Sequence, residues 1–290
     1  MGVVDLVGPD ARRFANGMFT NNVGALPVGQ GHATVRADDR GRVVGLFDLF
    51  MMEADRVRVV AEGVGSEEIG DVLDRYLFAD DVELEVHQDW AGHTFQGAGA
   101  QDALAKRGIR GSPWEVKVLE EGLMFFGRGR SRAGGVDAVG PRTALATWLD
   151  GAGLSEPDSQ AVECLRILAG EARWPHECSG VRLPQELGLT DTHLSFNKGC
   201  YVGQEIIHRL QMRGQVRRAL VTVAVEGRAI TPGDLEMDGK VVGELTSVIE
   251  QGEGQVLGLA LVKTRVMEAE AALTLRGSGA PVTIMGSGCG

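Results

Sequence analysis

From Ala219 onward the chain breaks into short apolar runs separated by glycine-rich or charged turns, and this rhythm most restricts what it can fold into. Leu220–Val225, Lys240–Ile249, Gln255–Val262, Ala272–Leu275 and Pro281–Ile284 each have strand length and composition. Strands so closely spaced leave no room for helical crossovers, so they pair antiparallel as a small barrel or sandwich. Arg213, Arg217 and Arg218 form a basic run that marks the boundary near residues 211–218. The division is therefore an N-terminal region, 1–212, and a C-terminal β-barrel domain, 213–290.

The preceding region mixes strand and helix signals, so the class is α+β. Val57 and Val59 alternate with charged neighbours, as on a half-buried strand. Ser66 is placed to cap a helix whose apolar face is Ile69, Val72, Leu73, Tyr76 and Leu77. Val82, Leu84 and Val86 alternate with Glu83, Glu85 and His87 in a period of two. Residues 92–112 read as a polar, glycine-rich loop with a short helix, Val116–Phe126 as a strand or hairpin, and Ser131–Gly140 as another loop. Thr143–Leu149 and Asp158–Leu168 read as helices. The second carries Ala161, Cys164, Leu165 and Leu168 on one face, which makes Cys164 a core residue. Regular periodicity is lost from Gly170 to Asn197.

A chain of 290 residues carries two or three cores. Its net charge of −11 discourages unspecific attraction to nucleic acid or acidic lipid, so direct tRNA binding is disfavoured. The four cysteines, Cys164, Cys178, Cys200 and Cys289, contain no CxxC pair and read as reduced cytosolic thiols. His87, His93, His176 and His193 form no zinc pattern, and no metal site is expected. Neither a signal peptide nor a membrane span is legible, and the expected location is cytoplasmic.

Residues 197–209, NKGCYVGQEIIHR, carry the strongest chemical signal. Cys200 sits at a strand-to-helix junction, with Lys198 two residues before it and His208 eight after. A nearby cation and a helix N-terminus both stabilise a thiolate. Gly199 and Gly203 permit tight turns, Tyr201 offers an aromatic face, and Gln204 and Glu205 fall in the first helical turn. From spacing alone, the same residues equally describe a structural turn around a buried cysteine.

The run Lys198-Gly199-Cys200-Tyr201-Val202-Gly203-Gln204-Glu205 resembles the K-G-C-Y-x-G-Q-E signature of the folate-binding YgfZ family, cousins of the glycine cleavage T protein. The likeness continues in Gly8–Phe14, Phe19–Val23, Asp39–Val43, the Arg166-Ile167 and Gly170 segment, Leu183–Glu186, Gly243–Ser247 and Gly258–Val262. The resemblance implies a T-protein-like multi-domain α+β fold around a central cavity. The N-terminal region would then comprise two subdomains in a discontinuous arrangement, with the barrel closing one side. It implies tetrahydrofolate or a related reduced folate as cofactor, and iron–sulfur client or assembly proteins as partners.

By the same resemblance Cys200, supported by Lys198, is the reactive group. Glu186 is the first candidate to grip the pterin edge and Glu177 the second. Arg166 could pair with the glutamyl tail. Phe19, Asn22, Tyr201 and Gln204 would shape the pocket, and Trp174 could add a stacking face. T proteins carry an aspartate near the position of Asn22 in a TND-like segment. Asparagine lacks that charge, so glycine-cleavage chemistry is disfavoured. The implied function is a folate-binding accessory protein for assembly or repair of iron–sulfur enzymes, including tRNA-modifying ones. A tetrahydrofolate-dependent one-carbon transferase and a non-catalytic interaction module are the alternatives.

Overall fold

The computed structural model describes residues 1–130, 134–154, 158–178, 181–214, 216–251, 255–267 and 272–287. Backbone packing divides the chain into two units, Met1–Glu156 with Asp191–Gln204, and Pro157–Thr190 with Glu205–Gly290.

The first unit opens with β1 (Gly2–Val7), α1 (Ala11–Met18), β2 (Gly31–Ala37), β3 (Val43–Glu53), β4 (Arg56–Ala61), α2 (Ser66–Asp74) and β5 (Glu83–Val86). These strands form an antiparallel sheet in the order β2-β3-β4-β1-β5. A second antiparallel sheet, β6-β9-β8-β7, follows from β6 (Trp90–Gln96), α3 (Ala98–Ala105), β7 (Val116–Val118), β8 (Met124–Gly127), β9 (Gly135–Pro141) and α4 (Arg142–Ala152).

Apolar side chains dictate the layering. Val4, Leu6, Leu49 and Val59 meet Phe14, Met18, Ile69 and Leu73 of α1 and α2. On the opposite face Val3, Phe50 and Val60 pack on Met124, Phe126 and Val139 of the second sheet. That sheet's other face carries Phe95, Phe125 and Val136 against Leu104 and Leu145 of α3 and α4. The layers therefore run helix, sheet, sheet, helix. Asp5 and Arg58 are buried on the inter-sheet side, where the guanidinium donates to both carboxylate oxygens at 2.7 and 2.8 Å beneath the Trp90 ring. Burial alone would raise the Asp5 carboxyl, but hydrogen bonds from Arg58 and His87 outweigh it and hold the group below the usual carboxylate range.

Several local expectations need correction. β6 and β9 occupy stretches that read largely as loops, whereas α3 is the short helix expected within residues 92–112. β9 is buried along nearly its whole length, so its sequence shows no polar–apolar alternation. Residues 131–133, at the start of the expected Ser131–Gly140 loop, lie outside the described residues. Ser66 is not a cap: Gly65 takes that position, and the Ser66 hydroxyl accepts from Val3 N–H and donates to the His87 carbonyl.

The second unit holds α5 (Ser159–Ala169) and most of α7 (Gln204–Arg213), while the short α6 (Thr190–His193) starts at its boundary and lies mostly in the first unit. Its barrel consists of β10 (Arg218–Glu226), β11 (Gly233–Met237), β12 (Lys240–Glu250), β13 (Gln255–Lys263), β14 (Leu273–Leu275) and β15 (Pro281–Ser287), with α8 (Thr264–Met267) after β13. It closes in the order β10-β13-β12-β11-β14-β15, filled by residues including Val221, Val223, Leu235, Leu245 and Val262. The expected strands are present, and β11 is an additional one. Residues 157–190 pack with the barrel instead of with the preceding chain, so the divide does not fall at a single point near residue 212.

One charged side chain fastens α5 to the barrel. Arg166 Nε and Nη2 donate to the two Glu163 oxygens at 3.0 and 2.7 Å. Its Nη1 donates to the Glu171 carbonyl at 2.6 Å and to Glu177 at 3.1 Å, and Nη2 also donates to Ser247 Oγ at 2.8 Å. All five guanidinium N–H donors are thereby used. A register shift in β12 between Leu245 and Ser247 lets two adjacent hydroxyls, Thr246 and Ser247, reach the same Glu177 oxygen. α5 thus buries Arg166 and Ile167 and exposes Leu165 and Leu168, and Cys164 is only half-buried, contrary to the apolar face read from sequence. Removing one partner from such a network strands the others. Arg166→Ala should cost about 3–5 kcal/mol in urea unfolding, and a loss below about 1 kcal/mol would contradict this role.

Candidate functional site

The Cys200 turn belongs to the first unit and has little regular structure of its own between α6 and α7. Its position is fixed from both sides. Before the cysteine, Ser195 N–H donates to the Thr20 carbonyl at 3.0 Å, and Thr20 Oγ1 donates to the His193 carbonyl at 2.8 Å. Asn21 Nδ2 donates to the Thr192 carbonyl at 3.1 Å. After it, Val202 N–H reaches the Gly17 carbonyl at 3.4 Å. Gly203 has φ +82°, and a Cβ there would lie 2.4 Å from the Asp38 carbonyl oxygen. Only glycine fits this approach.

Lys198 is the main fastener. Its Nζ lies 2.6, 2.6 and 2.7 Å from the carbonyl oxygens of Asn16, Phe19 and Asn21. The ammonium also sits 5.1 Å from the centre of the Tyr201 ring. Burial pushes Lys198 down to about 7; the three carbonyls oppose that by accepting from the protonated form. Tyr201 is itself buried, and its hydroxyl is pushed up to about 12 by desolvation. Gln204 Oε1 accepts from Tyr201 N–H at 3.2 Å and closes the turn into α7. Cys200 itself is exposed. The structure therefore presents the thiol to solvent, not as part of a buried structural turn. Among the described residues no hydrogen bond joins it to Lys198.

The other sequence-derived candidates divide by how much hydrogen-bonding capacity they retain. Phe19 is wholly buried and meets Phe47 edge-on at 5.2 Å, so its ring serves the core of the first unit. Asn22 accepts from Ala25 N–H at 3.2 Å and caps the turn Val23–Ala25. In the second unit, Glu177 accepts from Arg166, Arg173 N–H and Ser247, with Thr246 Oγ1 on the same oxygen as Ser247. A carboxylate offers about four lone-pair sites; three are taken by Arg166, Arg173 N–H and Ser247, the single Thr246 proton is shared between the fourth and the Leu259 carbonyl, and Glu177 is buried. Neither Glu177 nor Arg166 retains capacity for a ligand. Glu186 differs: one oxygen accepts from Leu183 N–H at 3.0 Å and caps the turn Pro184–Leu187, while the other has no partner among the described residues. Trp174 is half-buried in the second unit. Cys178 is buried, and desolvation pushes its thiol well above the usual range, an inert setting. Cys289 lies outside the described residues.

Sequence reasoning missed His32. Both of its ring nitrogens are buried without a hydrogen-bond partner among the described residues. Its place on β2 among ordinary strand residues gave no signal.

Residues 1–117 match the model of the GCVT N-terminal domain. The chain is 27% identical over 276 residues to a chloroplastic protein of Arabidopsis thaliana provisionally named a transferase; the match covers 90% of this chain and 63% of that protein. It is 27% identical over 238 residues to the tRNA-modifying protein YgfZ of Pectobacterium atrosepticum, covering 80% of this chain and 71% of the relative. The chain thus carries a match to the GCVT N-terminal domain over residues 1–117 and is similar to YgfZ proteins over most of its length. The crystal structure of glycine cleavage system aminomethyltransferase T from Bartonella henselae superposes with a TM-score of 0.84 at 17% identity, covering 98% of this chain and 82% of that one, and shows the same fold. This T-protein-like α+β fold with its terminal antiparallel barrel is the one the resemblance implied.

Two predictions concern the turn and its surroundings. Gly203→Ala should lower stability by more than about 1 kcal/mol in urea unfolding, because it adds both a positive-φ strain and a backbone clash; an unchanged midpoint would contradict the docking. Burial lowers His193 to about 3 and His32 to about 4, so the folded state holds both neutral well below the ordinary value of 6.5. Between those values the unfolded chain binds more protons, so stability is full above pH 6.5 and falls on acidification. The slope is at most about 1.4 kcal/mol per pH unit per histidine. Urea midpoints at pH 7.5 and 5.0 should differ less in His193→Asn than in wild type; an equal difference would remove His193 from the acid response.

Proposed function

We propose that this protein is a folate-binding accessory factor that supports assembly or repair of iron–sulfur enzymes, including tRNA-modifying ones. The observation that carries the reading is an exposed Cys200 held on a firmly docked turn of a GCVT-type scaffold. An exposed thiol can meet another macromolecule, which suits handling of a client protein better than chemistry sealed from solvent. The relationship to proteins named tRNA-modifying YgfZ points to the same class of client.

For the cofactor, Glu186 is the residue that fits best. Its second oxygen, which has no protein partner among the described residues and is not sealed from solvent, can accept from the amino edge of a pterin. A bound reduced folate would supply one-carbon carrying capacity. Glu177 and Arg166 are not assigned to it, because their partners are internal. Tyr201 and Gln204 support the turn. The aminomethyltransferase alternative is weakened by Asn22, which caps a turn through its amide oxygen and provides no carboxylate. No helix among the described residues is long and apolar enough to cross a membrane.

Titration of the purified protein with tetrahydrofolate should show saturable binding, weakened by about tenfold or more in Glu186→Ala, as expected for loss of a charge-assisted hydrogen bond worth about 1.5–3 kcal/mol. Absence of binding by wild type would remove folate from the proposal, and equal binding by the variant would remove Glu186. In cells lacking the protein, Cys200→Ser should fail to restore iron–sulfur client activity; full restoration would favour the interaction module without thiol chemistry.

A further inference from the structure

We infer that Lys198 is a positioning residue that acts through hydrogen-bond donation: its ammonium fills a tripod of backbone carbonyls and fastens the Cys200 turn to the chain leaving α1. This rests on the proposed importance of Cys200 but assigns Lys198 a different task from the thiolate activation its spacing invites.

The stoichiometry is the first argument. An ammonium has three N–H donors and no acceptor, and Asn16, Phe19 and Asn21 present three carbonyls at 2.6–2.7 Å. Each donor has one acceptor, and none remains for the sulfur. The second argument is the need of α1. A helix leaves its last carbonyls without intrahelical partners and favours a cation there. α1 ends at Met18 because Phe19 turns to extended backbone, and its last turn has no basic residue. Thr20 N–H, the natural partner of the Asn16 carbonyl, is instead bonded to Val35. Lys198 arrives from a distant segment to supply the missing donor and the missing positive charge.

The third argument is mechanical. The hydrogen bonds and close approach described above that tie the two sides of Cys200 to the rest of the first unit involve residues 16–21 or the tip of the β2–β3 hairpin. Lys198 is the one contributing three bonds from a single side chain, and Tyr201 lies beneath its ammonium. Without it, the Asn16 and Phe19 carbonyls lose the donor described for them, the Asn21 carbonyl keeps only Val23 N–H at 3.2 Å, and the thiol sits on a loop held by isolated bonds. Arginine is not an equivalent. Its planar fork cannot satisfy three acceptors converging on one point.

The test is chemical rescue. In the full chain carrying Cys164→Ser and Cys289→Ser, a nitroxide attached to Cys200 reports the mobility of the turn by electron paramagnetic resonance. Lys198→Ala should give a more mobile spectrum and at least tenfold faster amide exchange at residues 19–21. Propylammonium, which restores the deleted atoms and three N–H donors, should return both toward the parent. Tetramethylammonium, which has the charge but no N–H, should return neither. Lys198→Arg should remain mobile. Lys198→Met, which keeps the hydrocarbon volume if the alanine variant fails to fold, should also be mobile and should not respond to propylammonium. Unchanged mobility in all three variants, equal effects of the two ammonium salts, or full recovery by arginine would each overturn the inference. Because no readout involves folate, failure of wild type to bind folate would leave this result standing and remove only the proposed function.

Discussion

An ammonium meeting three backbone carbonyls is the interaction on which the placement of Cys200 depends. The segment that carries the thiol has almost no regular secondary structure, so it cannot rely on a ladder of its own. Its backbone must be held by other parts of the fold, and the first unit provides the end of α1, the loop after it and the hairpin between β2 and β3. Those elements are rigid for an ordinary reason: both faces of their sheet are covered, one by helices and one by a second sheet. Rigidity passes from packed layers to a loop, and from the loop through Lys198 to an exposed thiol.

The second unit solves a related problem with charge. α5 meets the barrel through Arg166, whose donors are matched by Glu163, Glu171, Glu177 and Ser247. Burying such a group is tolerable only because its partners are complete. The bulge in β12 makes completion possible by turning Thr246 and Ser247 toward one carboxylate. The Arg166 and Gly243–Ser247 segments, which carry part of the resemblance to the YgfZ family, are thus joined here as a structural joint. Saturation of this kind separates Glu177 from Glu186, which keeps an oxygen available.

How much was legible in the sequence follows from which atoms carry the information. β10, β12 and β13 alternate or run apolar for long enough to be read directly. β11 has a single wholly buried residue, Leu235, between acidic neighbours, too short a pattern to register. β9 hides because a strand covered on both faces has no polar side, and its glycines and Pro141 mimic a loop. The face of α5 was misread because an arginine, not a leucine, points inward. The motif around Cys200 was plain, but the task of Lys198 was not. Its acceptors are main-chain carbonyls 177 to 182 residues away, and backbone atoms leave no trace in residue identity. Proximity along the chain pointed to the sulfur; the fold points elsewhere.

The most direct measurement is a proton–nitrogen spectrum of the lysine side chains at pH 6, below the value of about 7 to which burial pushes Lys198, with its signal assigned by its loss in Lys198→Met. The carbonyl tripod predicts a protonated Nζ with three protons protected from solvent exchange, set apart from the fast-exchanging surface lysines. A neutral amine, or an ammonium exchanging as fast as the others, would contradict the arrangement that holds Cys200 in place.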